Sequence, residues 1–491
     1  MLKKIRQTLA VISILMVTLL FLDFTGTLQP WLGWIAKIQF LPALLALNAG
    51  VVAALVVLTL VFGRIYCSVI CPLGIMQDLF ARAGRKARRN RYSYSPALTW
   101  LRVVMLIVMA AAIAAGISVV VALLAPYSAY GRIVQTLLQP LVLWINNLFA
   151  SWAERAGSYA FYSVDVWLRG IAPLVVASVT LVALGVLSWR NGRTYCNTIC
   201  PVGTVLGFLS RFSLLSPVID TSKCNSCGLC ARNCKGACID SKAHRIDYSR
   251  CVACMDCIST CHQGAISYAR RTRAIAPKPT TDTAGRRTFI AITATAAAGA
   301  MASAAEKTVD GGLAVIADKR IPTRRTPIVP PGARGIANVE SRCTACQLCV
   351  SVCPNGVLRP SSDFSRLMQP EASYERGYCR PECTRCSEVC PTGAIRRVTP
   401  ADKSAIQVGH AVWIADNCVP LTDGVSCGNC ARHCPVGAIT MIPSVAGDSD
   451  SAKIPSVDTE RCIGCGACEN LCPARPFSAI YVEGHERHRI I

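Results

Sequence analysis

The chain has 491 residues, 52% of them hydrophobic and 16% charged, with a net charge of +23 and 29 cysteines. That length predicts several domains, and the apolar excess excludes a purely soluble protein. The basic residues sit beside apolar segments without interleaved aromatics, which argues against nucleic-acid binding, and packing four cysteines at a time within 11 to 17 residues excludes a dispersed disulfide framework.

Four apolar stretches near 7–24, 41–63, 99–125 and 170–189 approach the roughly 20 residues that span hydrocarbon, so residues 1–212 read as an α-helical membrane domain of four transmembrane helices. Buried helices of a soluble domain are the bland alternative. Lys3, Lys4 and Arg6 precede the first stretch, and Arg82, Arg85, Lys86, Arg88, Arg89 and Arg91 follow the second. The positive-inside rule puts both clusters in the cytoplasm, the 125–169 loop outside, and the return at Arg190 and Arg193 inside again.

An internal repeat crosses this domain. The segment from Gly63 to Gly74, Gly-Arg-Ile-Tyr-Cys-Ser-Val-Ile-Cys-Pro-Leu-Gly, recurs from Gly192 to Gly203 as Gly-Arg-Thr-Tyr-Cys-Asn-Thr-Ile-Cys-Pro-Val-Gly, and the match extends to Arg82 and Arg211. Each copy follows a stretch running from outside to inside, so the halves are parallel repeats whose Cys-x3-Cys-Pro corners meet on the cytoplasmic side. Cys67, Cys71, Cys196 and Cys200 are then candidates for one shared redox site of catalytic character, either a redox-active thiol pair or a tetrathiolate metal centre. Arg64 and Arg193 beside them would favour thiolate. Structural turns ending the helices are the competing explanation.

Residues 213–269 read as a two-cluster [4Fe–4S] ferredoxin domain of the α+β bacterial type. Cys-x2-Cys-x2-Cys delivers three thiolates from one tight loop, and in two-cluster ferredoxins the fourth comes from the partner run. One cluster is expected on Cys224, Cys227, Cys230 and Cys261, the other on Cys251, Cys254, Cys257 and Cys234. Zinc sites pair short Cys-x2-Cys units and do not repeat a triple run. Cys234 is followed by Lys235 and not by proline, and alignment of the two run ends puts Cys234 opposite Cys261, leaving Cys238 as a buried neighbour.

Residues 270–340 form a basic linker in which Gly285-Arg286-Arg287-Thr288-Phe289-Ile290 resembles a twin-arginine export signal ahead of an Ala-rich stretch, 289–305, a candidate fifth span. A plain cytoplasmic linker is the alternative. Residues 341–491 hold four further runs: Cys343, Cys346, Cys349, Cys353; Cys379, Cys383, Cys386, Cys390; Cys418, Cys427, Cys430, Cys434; and Cys462, Cys465, Cys468, Cys472. Each ends in Cys-Pro, and together they make a four-cluster ferredoxin domain, bringing the total to six [4Fe–4S] clusters. All six histidines follow residue 200 and no Cys-x2-Cys-His occurs, so no haem is expected; no dinucleotide fingerprint or P-loop appears either.

On these motifs residues 1–270 resemble the NapH/MauN quinol-dehydrogenase membrane subunits. Residues 285–491, with Pro330-Pro331-Gly332-Ala333 before four Cys-Pro-terminated runs, resemble the NapG/MauM four-cluster ferredoxins, as though two subunits had been fused. The resemblance implies a bacterial inner-membrane, multi-pass protein that takes electrons from quinol in the membrane pool and passes them to a periplasmic oxidoreductase or carrier. It places the first ferredoxin domain in the cytoplasm and the C-terminal one in the periplasm, and it implies that among the last four runs outer pairs with outer and inner with inner, sequential pairing remaining open. The other reading, from the related CcoG-type membrane ferredoxins, is a maturation reductase acting on a metal or thiol site of a partner enzyme.

Overall fold

The computed structural model of the chain describes residues 1–88, 92–158, 160–167, 169–270, 307–308, 315–316 and 318–491. The twin-arginine motif, the candidate fifth span, Arg89 and Arg91 lie outside the described residues.

A run of apolar residues free of glycine and proline makes helix Leu2–Leu22, and Asp23 ends it by accepting hydrogen bonds from the backbone N–H groups of Gly26, Leu28 and Gln29. This helix spans the molecule. At its start Lys3 pairs with Asp256, and at its end the Gln139 amide donates to the carbonyls of Phe21 and Ser351. The two ferredoxin units therefore sit at opposite ends of 21 helical residues, about 30 Å apart at 1.5 Å per residue.

The chain passes between those ends four times. After Leu2–Leu22 it runs back from Gly26, against Arg385, to Phe62, whose carbonyl accepts from the Tyr268 hydroxyl. It ascends from Arg102, bonded to Ser249, to Ala122, buried with Ala345 and Met368. It descends from Arg169, which donates to the Val350 carbonyl, to Gly192, packed on the Lys235 carbonyl.

Three helices are long and apolar enough to cross a membrane: Leu2–Leu22, Pro126–Arg155 and Ile171–Asn191. Two expected spans differ from this. The 41–63 stretch breaks where Leu47 turns left-handed and Asn48 caps the next helix by accepting from Val51 N–H, leaving Ala49–Phe62. The 99–125 stretch breaks at Gly116, at φ +71°, leaving Thr99–Ala114. The 125–169 segment, expected as an outside loop, instead contains Pro126–Arg155, a helix with a π-helical segment at Val134–Leu138. Its glutamines, asparagines and Pro140 mask it in the sequence, but Pro126 and Pro140 each begin a helical stretch, where a missing N–H costs nothing.

The ferredoxin units are small helices and two-stranded antiparallel ladders, such as Leu215–Ile219 with Ile266–Arg270 and Ile406–Trp413 with Ile480–Ile490. With the units at opposite ends of the bundle, compartment reporters fused after residue 270 and after residue 491 are expected to report opposite sides of the membrane. The same side at both positions would refute a membrane-crossing bundle between them.

Candidate functional site

The strand registers decide which cysteines meet. The pairing of Ile239 with Ile246 brings Cys234 toward Cys251, and that of Ile219 with Ile266 brings Cys224 toward Cys261. In the C-terminal unit, Leu358–Pro360 against Pro370–Ala372 returns Cys353 to Cys379. Ile439 against Val457 sets Cys434 beside Cys462, and Trp413 against Ile480 sets Cys418 beside Cys472.

Four-cysteine groups result. One cavity is lined by Cys224, Cys227, Cys230 and Cys261, another by Cys234, Cys251, Cys254 and Cys257 with Cys238, and a third by Cys353, Cys379, Cys383 and Cys386. Burial raises the Cys349 thiol, and the neighbouring sulfurs of Cys343, Cys346 and Cys390 add to the effect. Burial likewise raises Cys430, with Cys427, Cys472 and Cys418 beside it, and Cys465, with Cys462 and Cys434 beside it. The pairing in the C-terminal unit is therefore sequential, first run with second and third with fourth, which corrects the outer-with-outer expectation. Each of these ladders links neighbouring runs; among the described residues the segments flanking the first and fourth runs pair as strands only in the single bridge of Gly335 with Arg487.

These groups fit an iron–sulfur cluster. In four of the six loops the residues flanking the middle cysteine are left-handed: Ser226 and Gly228, Ala253 and Met255, Ala345 and Gln347, Gly464 and Gly466. Five of these are not glycine, and such strain persists only where the surroundings over-determine it, commonly at ligand sites. Cys238 lies 3.4 Å from Cys234, sulfur to sulfur, and also bonds Cys251, so it touches the group from which it was set apart.

Neighbouring groups adjoin one another. In the C-terminal unit Cys379 N–H donates to the Cys465 carbonyl at 2.9 Å, joining the first pair of runs to the second. The Cys346 carbonyl packs against Gly131 beside Phe21, so that the Cys343 group abuts the helical bundle.

Inside the bundle the two corners meet. Short helices Ile65–Val69 and Thr194–Thr198 each end before a Cys-Pro that starts the next helix. Cys67, Cys71, Cys196 and Cys200 are all buried, with their sulfurs near enough to interact electrostatically. The Arg193 guanidinium reaches across to the Cys67 carbonyl at 2.6 Å, and Arg64 reaches back to the Cys196 carbonyl at 3.1 Å. Gly74 and Gly203 make room: a Cβ on either would strike the cysteine carbonyl and the crossing guanidinium. Arg64 also lies 3.9 Å from Cys67 Sγ, the Gln77 amide donates to Cys196 Sγ at 3.3 Å, and Gly203 N–H donates to Cys200 Sγ at 3.3 Å.

A charge network ties this site to the first ferredoxin unit. Asp78 accepts from Arg193 at 2.8 Å and Arg6 at 3.2 Å, with Lys235 at 3.5 Å, and Lys235 pairs with Asp256 at 3.0 Å. Lys235 follows Cys234, and Asp256 sits between Cys254 and Cys257. Sequence reasoning missed this network; its one signal was the lysine after Cys234, where the last four runs place proline.

The chain matches family models described as "4Fe-4S binding domain" over residues 44–91 and 172–218, each stretch containing one corner, and "4Fe-4S dicluster domain" over 342–394 and 425–475 and, for a further model, 247–357. No solved structure matches it. It is 33% identical to the methylamine utilization ferredoxin-type protein MauM of Paracoccus denitrificans over 165 residues, 33% of this chain and 73% of that protein. The corresponding protein of Methylobacillus flagellatus is 31% identical over 30% of this chain, and that match spans 64% of its length, a little under two thirds. The ferredoxin-type protein NapF of Escherichia coli (strain K12) is 26% identical over 32% of this chain and 87% of its own. Over the third of its length that it shares with them, the chain belongs to the family of MauM ferredoxin-type iron–sulfur proteins.

Proposed function

We propose that this protein is a membrane-bound electron carrier that oxidises quinol and delivers the electrons, one at a time, to an oxidoreductase on the side of its C-terminal ferredoxin unit. The observation that carries the reading is the set of cysteine groups at both ends of the bundle, with the buried corner cysteines between. Six groups of four would each hold a [4Fe–4S] cluster: Cys224, Cys227, Cys230 and Cys261; Cys251, Cys254, Cys257 and Cys234; Cys343, Cys346, Cys349 and Cys390; Cys379, Cys383, Cys386 and Cys353; Cys418, Cys427, Cys430 and Cys472; Cys462, Cys465, Cys468 and Cys434. When bound, such a cluster supplies one-electron redox chemistry, which suits a donor releasing two electrons and two protons on becoming quinone. A bacterial inner membrane, four spans and a cytoplasmic first ferredoxin unit complete the reading, supported by the basic clusters and the four passes of the chain.

A narrow polar cleft at the C-terminal end of the bundle, which would have to widen to admit a quinol ring, is the candidate donor site. Pro140, Leu143 and Trp167 wall it, and Gln139, Asp165 and Arg169 supply polar atoms for the ring oxygens. Arg169 donates to the carbonyl of Val350, the residue after Cys349, and the π-helical segment that forms one wall is a form often found at functional sites.

Two outcomes are expected. Cys343→Ala and Cys390→Ala should each remove about four iron atoms and together no more, whereas Cys343→Ala with Cys472→Ala should remove about eight. The reverse pattern would restore outer pairing. Menaquinol should reduce the anaerobically prepared protein in liposomes, and Asp165→Asn should slow that reduction by about 100-fold while dithionite still reduces it fully. No reduction of the wild type by menaquinol would refute the quinol reading and favour a maturation reductase with another donor.

A further inference from the structure

We infer that Cys67, Cys71, Cys196 and Cys200 together ligate an additional iron–sulfur cluster, a seventh, held at the meeting of the two Cys-x3-Cys corners inside the bundle. Its purpose rests on the electron-transfer reading above; its existence does not.

The thiols converge but do not touch. Cys234 and Cys238 lie 3.4 Å apart, sulfur to sulfur, while among the described residues no such contact joins any two of the corner cysteines. A disulfide would hold two of them at about 2 Å, and one tetrahedral zinc at about 2.3 Å from each sulfur would bring them within about 4 Å of one another. Four buried thiols that lie near one another without touching suit a multi-iron core, which puts metal between the sulfurs. The match of a 4Fe-4S model to both corner segments agrees with that core.

The charge is the second argument. Arg64 is fully buried, and among the described residues no carboxylate pairs with it; its partners are the Asn197 amide oxygen, two carbonyls and the Cys67 sulfur. Among the described residues Arg64 Nε and Arg193 Nη2 have no hydrogen-bond partner. A buried guanidinium without an anion costs several kcal/mol, so the site calls for negative charge that the described side chains do not supply. A cluster on four thiolates is net anionic and meets it.

The third argument is position. Along Leu2–Leu22, Lys3 marks the level of Asp256 in the first ferredoxin unit, and Phe21 marks that of Cys346 in the second. The first corner lies between, where Arg6 donates to the Ser68 carbonyl and Ser13 to the Ile70 carbonyl. At 1.5 Å per residue Ser13 is about 15 Å from Lys3 and about 12 Å from Phe21. Electron tunnelling falls exponentially with distance, so a carrier at this level turns one long passage into two short ones. One electron arrives and one leaves, with no bond made or broken.

Native mass spectrometry of the anaerobically purified full chain should give about 28 iron atoms, and Cys67→Ala with Cys196→Ala about 24, with the reduced signals of the ferredoxin groups unchanged. A wild-type count of about 24 that the double substitution leaves unaltered would overturn the proposal, as would one zinc per chain lost with that variant. If the variant does not fold, the wild-type count decides alone. Iron content is read without any donor, so failure of menaquinol to reduce the protein leaves this test standing.

Discussion

Two guanidinium groups exchanged across the centre of the bundle fix the geometry on which the rest depends. Arg193 crosses to the carbonyl of Cys67 and Arg64 to that of Cys196, each passing over a glycine of the opposite half. Neither arginine is exposed to solvent, so each must exchange its hydration for fixed acceptors, and a hydrogen bond to such a charged group contributes about 1.5–3 kcal/mol. The carbonyls that satisfy them belong to Cys67 and Cys196, two of the four buried corner cysteines. Holding the charge in place therefore also holds the thiols in place.

Asp78 extends that constraint outward. It receives Arg193, Arg6 and Lys235, and Lys235 passes the contact to Asp256, which Lys3 meets from the start of the first helix. Burial opposes the ionised form of Asp256, and the ammonium groups of Lys235 and Lys3 overcome it, holding its carboxyl below the usual range. The first ferredoxin unit is thus docked through residues inside its own cysteine runs. A shift of the corner helices would be felt at Cys234 and Cys254 without crossing any flexible segment. The C-terminal unit is docked differently, through backbone carbonyls of its first run at Val350 and Ser351 and through packing on Phe21 and Tyr127.

Much of this was legible in the sequence because it is written in spacing. Six cysteine runs and a repeated Gly-Arg-x-Tyr-Cys segment are patterns of residue type, and the ferredoxin character followed from them. Ligand pairing was not legible, since it depends on ladders as short as Ile239–Asp240 with Arg245–Ile246, which no propensity marks. Nor were the helix interruptions: one leucine, Leu47, in a left-handed conformation ends a hydrophobic stretch that reads as continuous. Helix Pro126–Arg155 was hidden by its polar residues, two of which face the C-terminal unit: Thr136 bonds Gln347 and Gln139 bonds Ser351. Polarity spent on a neighbouring domain looks, in one dimension, like a loop.

Departures from the repeat carry as much meaning as the repeat itself. The positions shared by both halves, Arg64 and Arg193, the four cysteines, Gly74 and Gly203, all face the centre. At three of the positions that differ, one member of the pair bears on the first ferredoxin unit or on a corner sulfur. Asp78 corresponds to Gly207: the carboxylate reaches Lys235, while the glycine leaves room for the Ser249 carbonyl and the Arg102 guanidinium that donates to it. Ser68 corresponds to Asn197, whose amide donates to the Gly236 carbonyl and accepts from Arg64. Gln77 corresponds to Leu206, and only the glutamine donates to a sulfur, that of Cys196. A symmetric interior thus gathers four thiols, and an asymmetric exterior turns the site toward one ferredoxin unit. The two halves consequently place their cysteines in unequal fields, with Asp78 balancing Arg193 on one side and no carboxylate balancing Arg64 on the other.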